Sequence, residues 1–201
     1  MYEEDQKEVL ALPVWPILRG HLWHATSETR AASIFRDGMI RLGEEGVGYP
    51  RGHCRMNGSI SLFDFSGTLE DVASQWINWR GWFGHHSHIE GNASVWLRID
   101  RAAVAGNVQT PKECLADWHA ATDKGNHMPQ VEVCHRGPVP ISAIDGALVV
   151  CPTDDSRFQQ FEAGPHMIEN VVAYAETFPH RPPRPRDIAS LFGDMRHEAF
   201  P

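Results

Sequence analysis

The chain has no C-x-x-C pair, no apolar run long enough to cross a bilayer and no excess of basic charge. Each absence excludes something. The cysteines Cys54, Cys114, Cys134 and Cys151 are widely spaced, so neither a zinc ribbon nor a dense disulfide framework is expected, and reduced thiols in a cytoplasm are the simplest reading. A transmembrane helix needs about 20 apolar residues, and the acidic opening "MYEEDQKEVL" is unlike the basic, then apolar, start of a signal peptide. A protein without membrane attachment that stays in the cytoplasm is expected. The formal charge of -8 opposes non-specific attraction to a phosphate backbone, leaving nucleic acid only a local patch such as Arg181, Arg184 and Arg186.

What remains is ordinary globular material. A chain of 201 residues, 42% hydrophobic and 22% charged, fits one domain over 1–201, with a proline-rich connector, "FPHRPPRPR", and a helical tail at about 178–201. The prolines of "ALPVWPIL" prevent a regular helix there. "HLWHAT" reads as a strand with Leu22 and His24 on one face and Trp23 on the other. Ser27 caps a following helix, Glu28 complements its N-terminus, Ala31, Ile34 and Phe35 form its apolar stripe, and Gly38 occupies its left-handed end.

Glycines and Pro50 between Gly43 and Gly58 predict a long irregular loop. "SISLFDF" alternates as a strand, with Ile60 and Leu62 on one side and Ser59, Ser61 and Phe63 on the other. Thr68 opens a helix in which Val72, Trp76 and Trp79 recur at core spacing and which Gly81 ends before the loop "WFGHHSHIEGN". "SVWLRID" is a further strand and "KECLADWHAA" a helical stretch. "PQVEVCH" then predicts a strand that sets Gln130, Glu132 and Cys134 on one face and Val131 and Val133 on the other. "GPVPISAI" and "GALVVC" extend the strand set, and strands mixed with helices without a βαβ rhythm give an α+β class.

Two clusters could suggest metal or thiol chemistry. His85, His86 and His88, with His53-Cys54 and Cys134-His135 elsewhere, match no standard ligand spacing, so no metal site is expected. Cys134 and His135 are strand neighbours pointing to opposite faces, which gives no Cys-His nucleophile.

A strand ending in His24-Ala25-Thr26, a helix "SIFRDGMI" closing on Gly38, the strand "SISLF" and a later strand with Gln130-Val131-Glu132 follow in an order that resembles the ADP-ribosyltransferase superfamily, over about His21 to Ile144. The segment "VCHRGPVPISAI" after the glutamate is similar to that of bacterial DNA-modifying toxins of the superfamily. The resemblance implies an α+β domain with a split pair of small mixed β-sheets, flanking helices and an NAD cleft between the sheets. It implies a mono-ADP-ribosyltransferase that moves ADP-ribose from NAD, its substrate, to a macromolecular acceptor, protein or nucleic acid, with nicotinamide released. For toxin-like members it also implies a cognate antitoxin or immunity partner.

By the same resemblance, Glu132 is the catalytic carboxylate, because cleaving the nicotinamide–ribose bond builds an oxocarbenium-like centre that a fixed carboxylate stabilises. Gln130 positions the acceptor; it stands where arginine-modifying members carry an acidic residue, which points away from arginine as target. His24 bonds a ribose hydroxyl, Ala25 stands where many members have glycine, Thr26 supports the strand end, and Ser59 or Ser61 stabilises the site beside Glu132. One of Phe63, Phe65, Trp79 and Trp82 stacks on nicotinamide. An RNA 2'-phosphotransferase, an NAD hydrolase and a catalytically inactive binding module share the scaffold and are the alternatives.

Overall fold

A computed structural model describes residues 2–42, 51–85 and 92–179. The predicted loop positions 43–50, the histidines at 86 and 88, the side chain of His85, and the connector and tail from 180 onward, with Arg181, Arg184 and Arg186, lie outside the described residues. Along the chain come α1 (Tyr2–Ala11), α2 (Trp15–Leu18), β1 (Leu22–Ser27), α3 (Glu28–Asp37), β2 (Met39–Ile40), α4 (His53–Met56), β3 (Ser59–Asp64), α5 (Leu69–Ala73), α6 (Trp76–Arg80) and α7 (Trp82–His85). There follow β4 (Ser94–Ile99), α8 (Arg101–Val104), α9 (Pro111–Ala120), β5 (Glu132–Arg136), β6 (Val139–Pro140), β7 (Ile144–Cys151), β8 (Asp154–Glu162) and α10 (Met167–Ala175). No described helix is long and apolar enough to cross a membrane.

The class is α+β, but the sheets are not the two small mixed ones expected. One sheet of six strands, in the order β5-β3-β1-β4-β7-β8, dominates, β2 and β6 form a separate two-stranded ribbon, and every named strand pair is antiparallel. The imbalance has a physical origin in β7 and β8. Their pairing runs from Gly146↔Glu162 to Cys151↔Asp154 and extends the main sheet by an edge strand that apolar alternation does not mark. β8 reads "DDSRFQQFE" and buries no residue fully, so its hydrogen bonds, not its side chains, make it a strand.

Alternation along the central strands sorts their side chains onto two faces. One face carries Leu22, Leu62, Val95, Leu97, Val133 and Val149, an aliphatic layer covered by Ala31, Ile34 and Phe35 of α3 and by Val171 and Ala175 of α10. The other carries Trp23, Phe63, Trp96 and Leu148, covered by Trp15 of α2 and by Val72, Trp76, Trp79 and Phe83 of α5 to α7. Aromatic rings dominate this second layer, with Phe63 and Trp96 centroids 4.9 Å apart and those of Trp76 and Trp79 5.0 Å apart. Such contacts add to the gain from area burial. Trp76 and Trp79 are core residues, as their spacing predicts.

The local chemistry of α3 matches its sequence signals. The Ser27 side chain accepts from the Arg30 N–H and Gly38 ends the helix at φ 77, a conformation that favours glycine. Glu28 does more than complement the helix N-terminus: its carboxylate accepts from the backbone N–H groups of Asn92 and Ala93, tying α3 to the start of β4. The single helix expected after Thr68 is two: Ser74 still donates to the Glu70 carbonyl, but Gln75 donates to Val72, three residues back, and leaves helical dihedrals at φ -113, ψ 14. Thr68 forms a capping box with Asp71.

Candidate functional site

Strand β1 is paired very differently on its two sides. Against β4 it is registered over all six residues, from Leu22↔Ile99 to Ser27↔Ser94. Against β3 only Leu22↔Asp64 and Trp23↔Phe63 are registered, although β3 itself continues to pair with β5 down to Ser59↔Arg136. The ladder opens after Trp23. A cavity of about 300 Å³ occupies this region, within the size range of small-molecule sites.

Its lining combines both faces of the split. His24, Thr26 and Ile60 come from the aliphatic face, Ala25, Ser59, Ser61, Phe63 and Glu132 from the other, and the wall also holds Trp82, Arg30, Arg55 and the pair Arg41–Asp37, joined at 2.6 Å. Every cofactor-binding position expected from sequence, His24, Ala25, Thr26, Ser59, Ser61 and Phe63, therefore meets Glu132 at one cavity.

His24 bridges the gap where the backbone ladder stops: its Nδ1 lies 3.2 Å from the Ser61 carbonyl oxygen. A carbonyl only accepts, so Nδ1 carries the proton and Nε2 keeps a lone pair. Burial lowers the imidazole pKa to about 4, the Ser61 contact opposes the shift, and the Arg30 charge adds to it. At neutral pH His24 is an uncharged hydrogen-bond acceptor at Nε2.

Glu132 opens β5 and is only 3% exposed. A buried carboxylate is costly unless its oxygens are satisfied, and both are. The Ser61 hydroxyl donates to Oε1 at 2.6 Å; the Met128 backbone N–H donates to Oε2 at 3.1 Å, and His127 Nδ1 lies 3.2 Å from the same oxygen. Ser61 reaches Glu132 diagonally, since its registered partner is Cys134 and that of Glu132 is Phe63. The carboxylate is held in one orientation before any ligand arrives.

Gln130 does not join it. The strand begins at Glu132, and Gln130 sits exposed in the preceding turn at φ 67, away from the cavity lining. The alternation expected over 130–134 is cut short by the turn; Val131 accordingly packs with the aromatic layer and Val133 with the aliphatic one. Of the aromatic candidates, Phe65 and Trp79 are core residues, whereas Phe63 and Trp82 line the cavity with centroids 5.4 Å apart. Trp82 is the more accessible of the two.

Sequence reasoning missed His127, Met128 and the three arginines. Arg30 is legible in retrospect, three residues after the Ser27 cap and hence one turn from the strand end that carries His24. His127 and Met128 have no such signal, because their role depends on how the turn at 128–131 folds back: the Glu132 N–H donates to the Met128 carbonyl at 2.8 Å.

The cysteines also depart from expectation. Cys54 and Cys134 form a disulfide across 80 residues of sequence, with Cα atoms 5.1 Å apart; Cys114 and Cys151 are free and buried. Sequence spacing could not show this pairing, because a tertiary contact creates it. The His53 N–H donates to the Asn126 carbonyl and the Asn126 N–H to the Arg51 carbonyl, at 2.8 and 2.7 Å. Gly125 permits this approach, since a Cβ there would stand 2.7 Å from the Arg51 oxygen. The result seats α4 against β5. Burial, with the nearby Glu132 charge, pushes the Cys114 thiol up to about 12, so it stays protonated beside the disulfide.

No protein-family model matches this chain, and comparison with curated proteins finds no match.

Proposed function

We propose that the chain is an NAD-dependent ADP-ribosyltransferase acting on a macromolecular acceptor, protein or nucleic acid. The observation that carries this reading is the convergence of neutral His24, Ser61 and the doubly anchored carboxylate of Glu132 on one cavity at the open β1–β3 ladder.

Loss of nicotinamide leaves positive charge on the ribose, and a carboxylate that needs no reorientation stabilises that charge at little reorganisation cost. Glu132 fits this role because Ser61 and the Met128 N–H hold one oxygen each. His24 Nε2 accepts from a ribose hydroxyl, which a neutral imidazole does without repelling the developing cation. Arg30, Arg41 and Arg55 suit the diphosphate, and Trp82 against Phe63 suits the nicotinamide ring. Gln130, exposed in its turn and outside the cavity lining, is left to the acceptor rather than to NAD. An RNA 2'-phosphate would also suit the arginines, and this is the second reading.

The deciding experiment incubates the purified chain with NAD labelled in the adenylate half and separate pools of protein, DNA, RNA and 2'-phosphorylated RNA. Transfer of label to one pool, reduced at least about a hundredfold in Glu132→Gln with unchanged circular dichroism, is the expected outcome. An undiminished rate in Glu132→Gln sinks the mechanism. Loss of 2'-phosphate with the label released selects the second reading, and nicotinamide release with no labelled pool selects NAD hydrolysis. If DNA is the acceptor, a cognate antitoxin or immunity protein becomes the partner to seek.

A further inference from the structure

Close to Glu132, and made of residues that do not line the cavity, lies a second cluster that the NAD reading does not use. Cys54, Cys114 and Cys134 form a buried group of their own, and His53, adjacent to Cys54 on α4, is 1% exposed. Ligand atoms of His53, Cys114 and Cys134 all lie within 4.8 Å of one another, and the sulfurs of Cys114 and Cys134 are 3.3 Å apart. Tetrahedral zinc, with Zn–S near 2.3 Å and Zn–N near 2.0 Å, sets its donor atoms about 3.5–3.8 Å from one another. The Cys114–Cys134 pair is near that spacing, and the widest pair of the three donors, at no more than 4.8 Å, is within about 1 Å of it, while Cys134 is still bonded to Cys54. Against His53, at 5.4 Å between ring centroids, lies His127, whose Nε2 is buried without a hydrogen-bond partner among the described residues.

We propose that reduction of the Cys54–Cys134 disulfide turns this cluster into a Cys3His site for a thiophilic divalent cation of the zinc type, with Cys54, Cys114, Cys134 and His53 as ligands. In the reduction the S–S bond takes up two electrons and two protons from a dithiol, which is itself oxidised to a disulfide. The cation then displaces one proton from each of the three thiols. Disulfide and cation exclude each other, because sulfurs bonded to one another cannot each serve as a thiolate ligand. Both states fasten α4 to β5, and these elements carry Arg55 and Glu132 on the cavity wall. The cluster is thus a clamp close to the carboxylate, covalent when oxidised and metal-held when reduced. No ribbon-type spacing announces it, since its ligands come from a one-turn helix, from α9 and from a strand.

The chain reduced with a phosphine, which adds no competing thiol, is titrated with cobalt(II). Expected are one cobalt per chain, thiolate-to-cobalt charge-transfer absorption with tetrahedral visible bands, and displacement by zinc; the oxidised chain should show none of these. Cys114→Ser should weaken binding at least about tenfold, and Cys151→Ser, outside the cluster, should leave the titration unchanged. Absence of charge-transfer absorption in the reduced wild-type chain overturns the proposal. So does absorption that survives Cys114→Ser undiminished; if that variant does not fold, His53→Asn, read for the same bands, decides. The readout uses no NAD and tests the metal site alone.

Discussion

One strand, β1, shows two kinds of pairing. On its β4 side every residue from Leu22 to Ser27 has a registered partner, and the adjacent layer is dense with rings, Trp96 among them at 0% exposure. On its β3 side the register stops after two residues, and an imidazole stands where the next backbone contacts would be. The zipped side contributes stability; the open side contributes a cavity whose polar groups point at one another. The imidazole stands where β1–β3 backbone pairs are missing, whereas the Ser61 hydroxyl and the Glu132 carboxylate project from the intact β3–β5 ladder, so the opening supplies the room and the paired strands supply the fixed polar groups.

The comparison is broken most strongly on the zipped side. Trp96→Ala removes a fully buried ring and should cost about 3–5 kcal/mol of stability, read as a lower urea midpoint. A loss under about 1 kcal/mol would mean that the β1–β4 side is not the stable half.

A smaller effect belongs to the open side. The folded pKa of His24 lies below its unfolded value, so the unfolded chain binds the extra proton first. The stability that His24 contributes is complete above about 6.5 and is lost as pH falls from there toward about 4. The loss should reach on the order of 2–3 kcal/mol. His24→Gln, whose amide can still donate to the Ser61 carbonyl, should show a flatter decline of urea midpoint between pH 7 and 4.5; identical slopes would show that the ring is not buried as described.

The smallest effect is Ser61→Ala, which removes one of the hydrogen bonds to Glu132. About 1–2 kcal/mol of stability should go, and the proposed function adds a loss of roughly tenfold in the rate of NAD cleavage with little change in KM for NAD. A KM effect without a rate effect would place Ser61 in binding rather than in holding the carboxylate.

Much of this arrangement was legible in the sequence where the signal is local. The Ser27 cap, the apolar stripe of α3 and Gly38 specify a helix that starts where β1 ends, and period-2 alternation puts Ser59, Ser61 and Phe63 on one face. Even the separation of His24 from Trp23 across the sheet follows from alternation. Where the backbone turns, alternation fails: it predicts Gln130 beside Glu132 on a strand that starts only at Glu132. β8, too polar to show a periodic pattern, and α4, set among glycines, were also hidden.

The sequence by itself determined which residues can share a face and where α3 begins and ends, because capping, helical spacing and strand alternation act over a few residues. Only the tertiary structure decided that β1 and β3 part after two pairs, that Ser61 meets Glu132 across 71 residues, that His127 and the Met128 N–H hold the other oxygen, and that Cys54 reaches Cys134. These contacts join segments whose local patterns carry no information about one another, and packing of the two faces of the sheet brings them together.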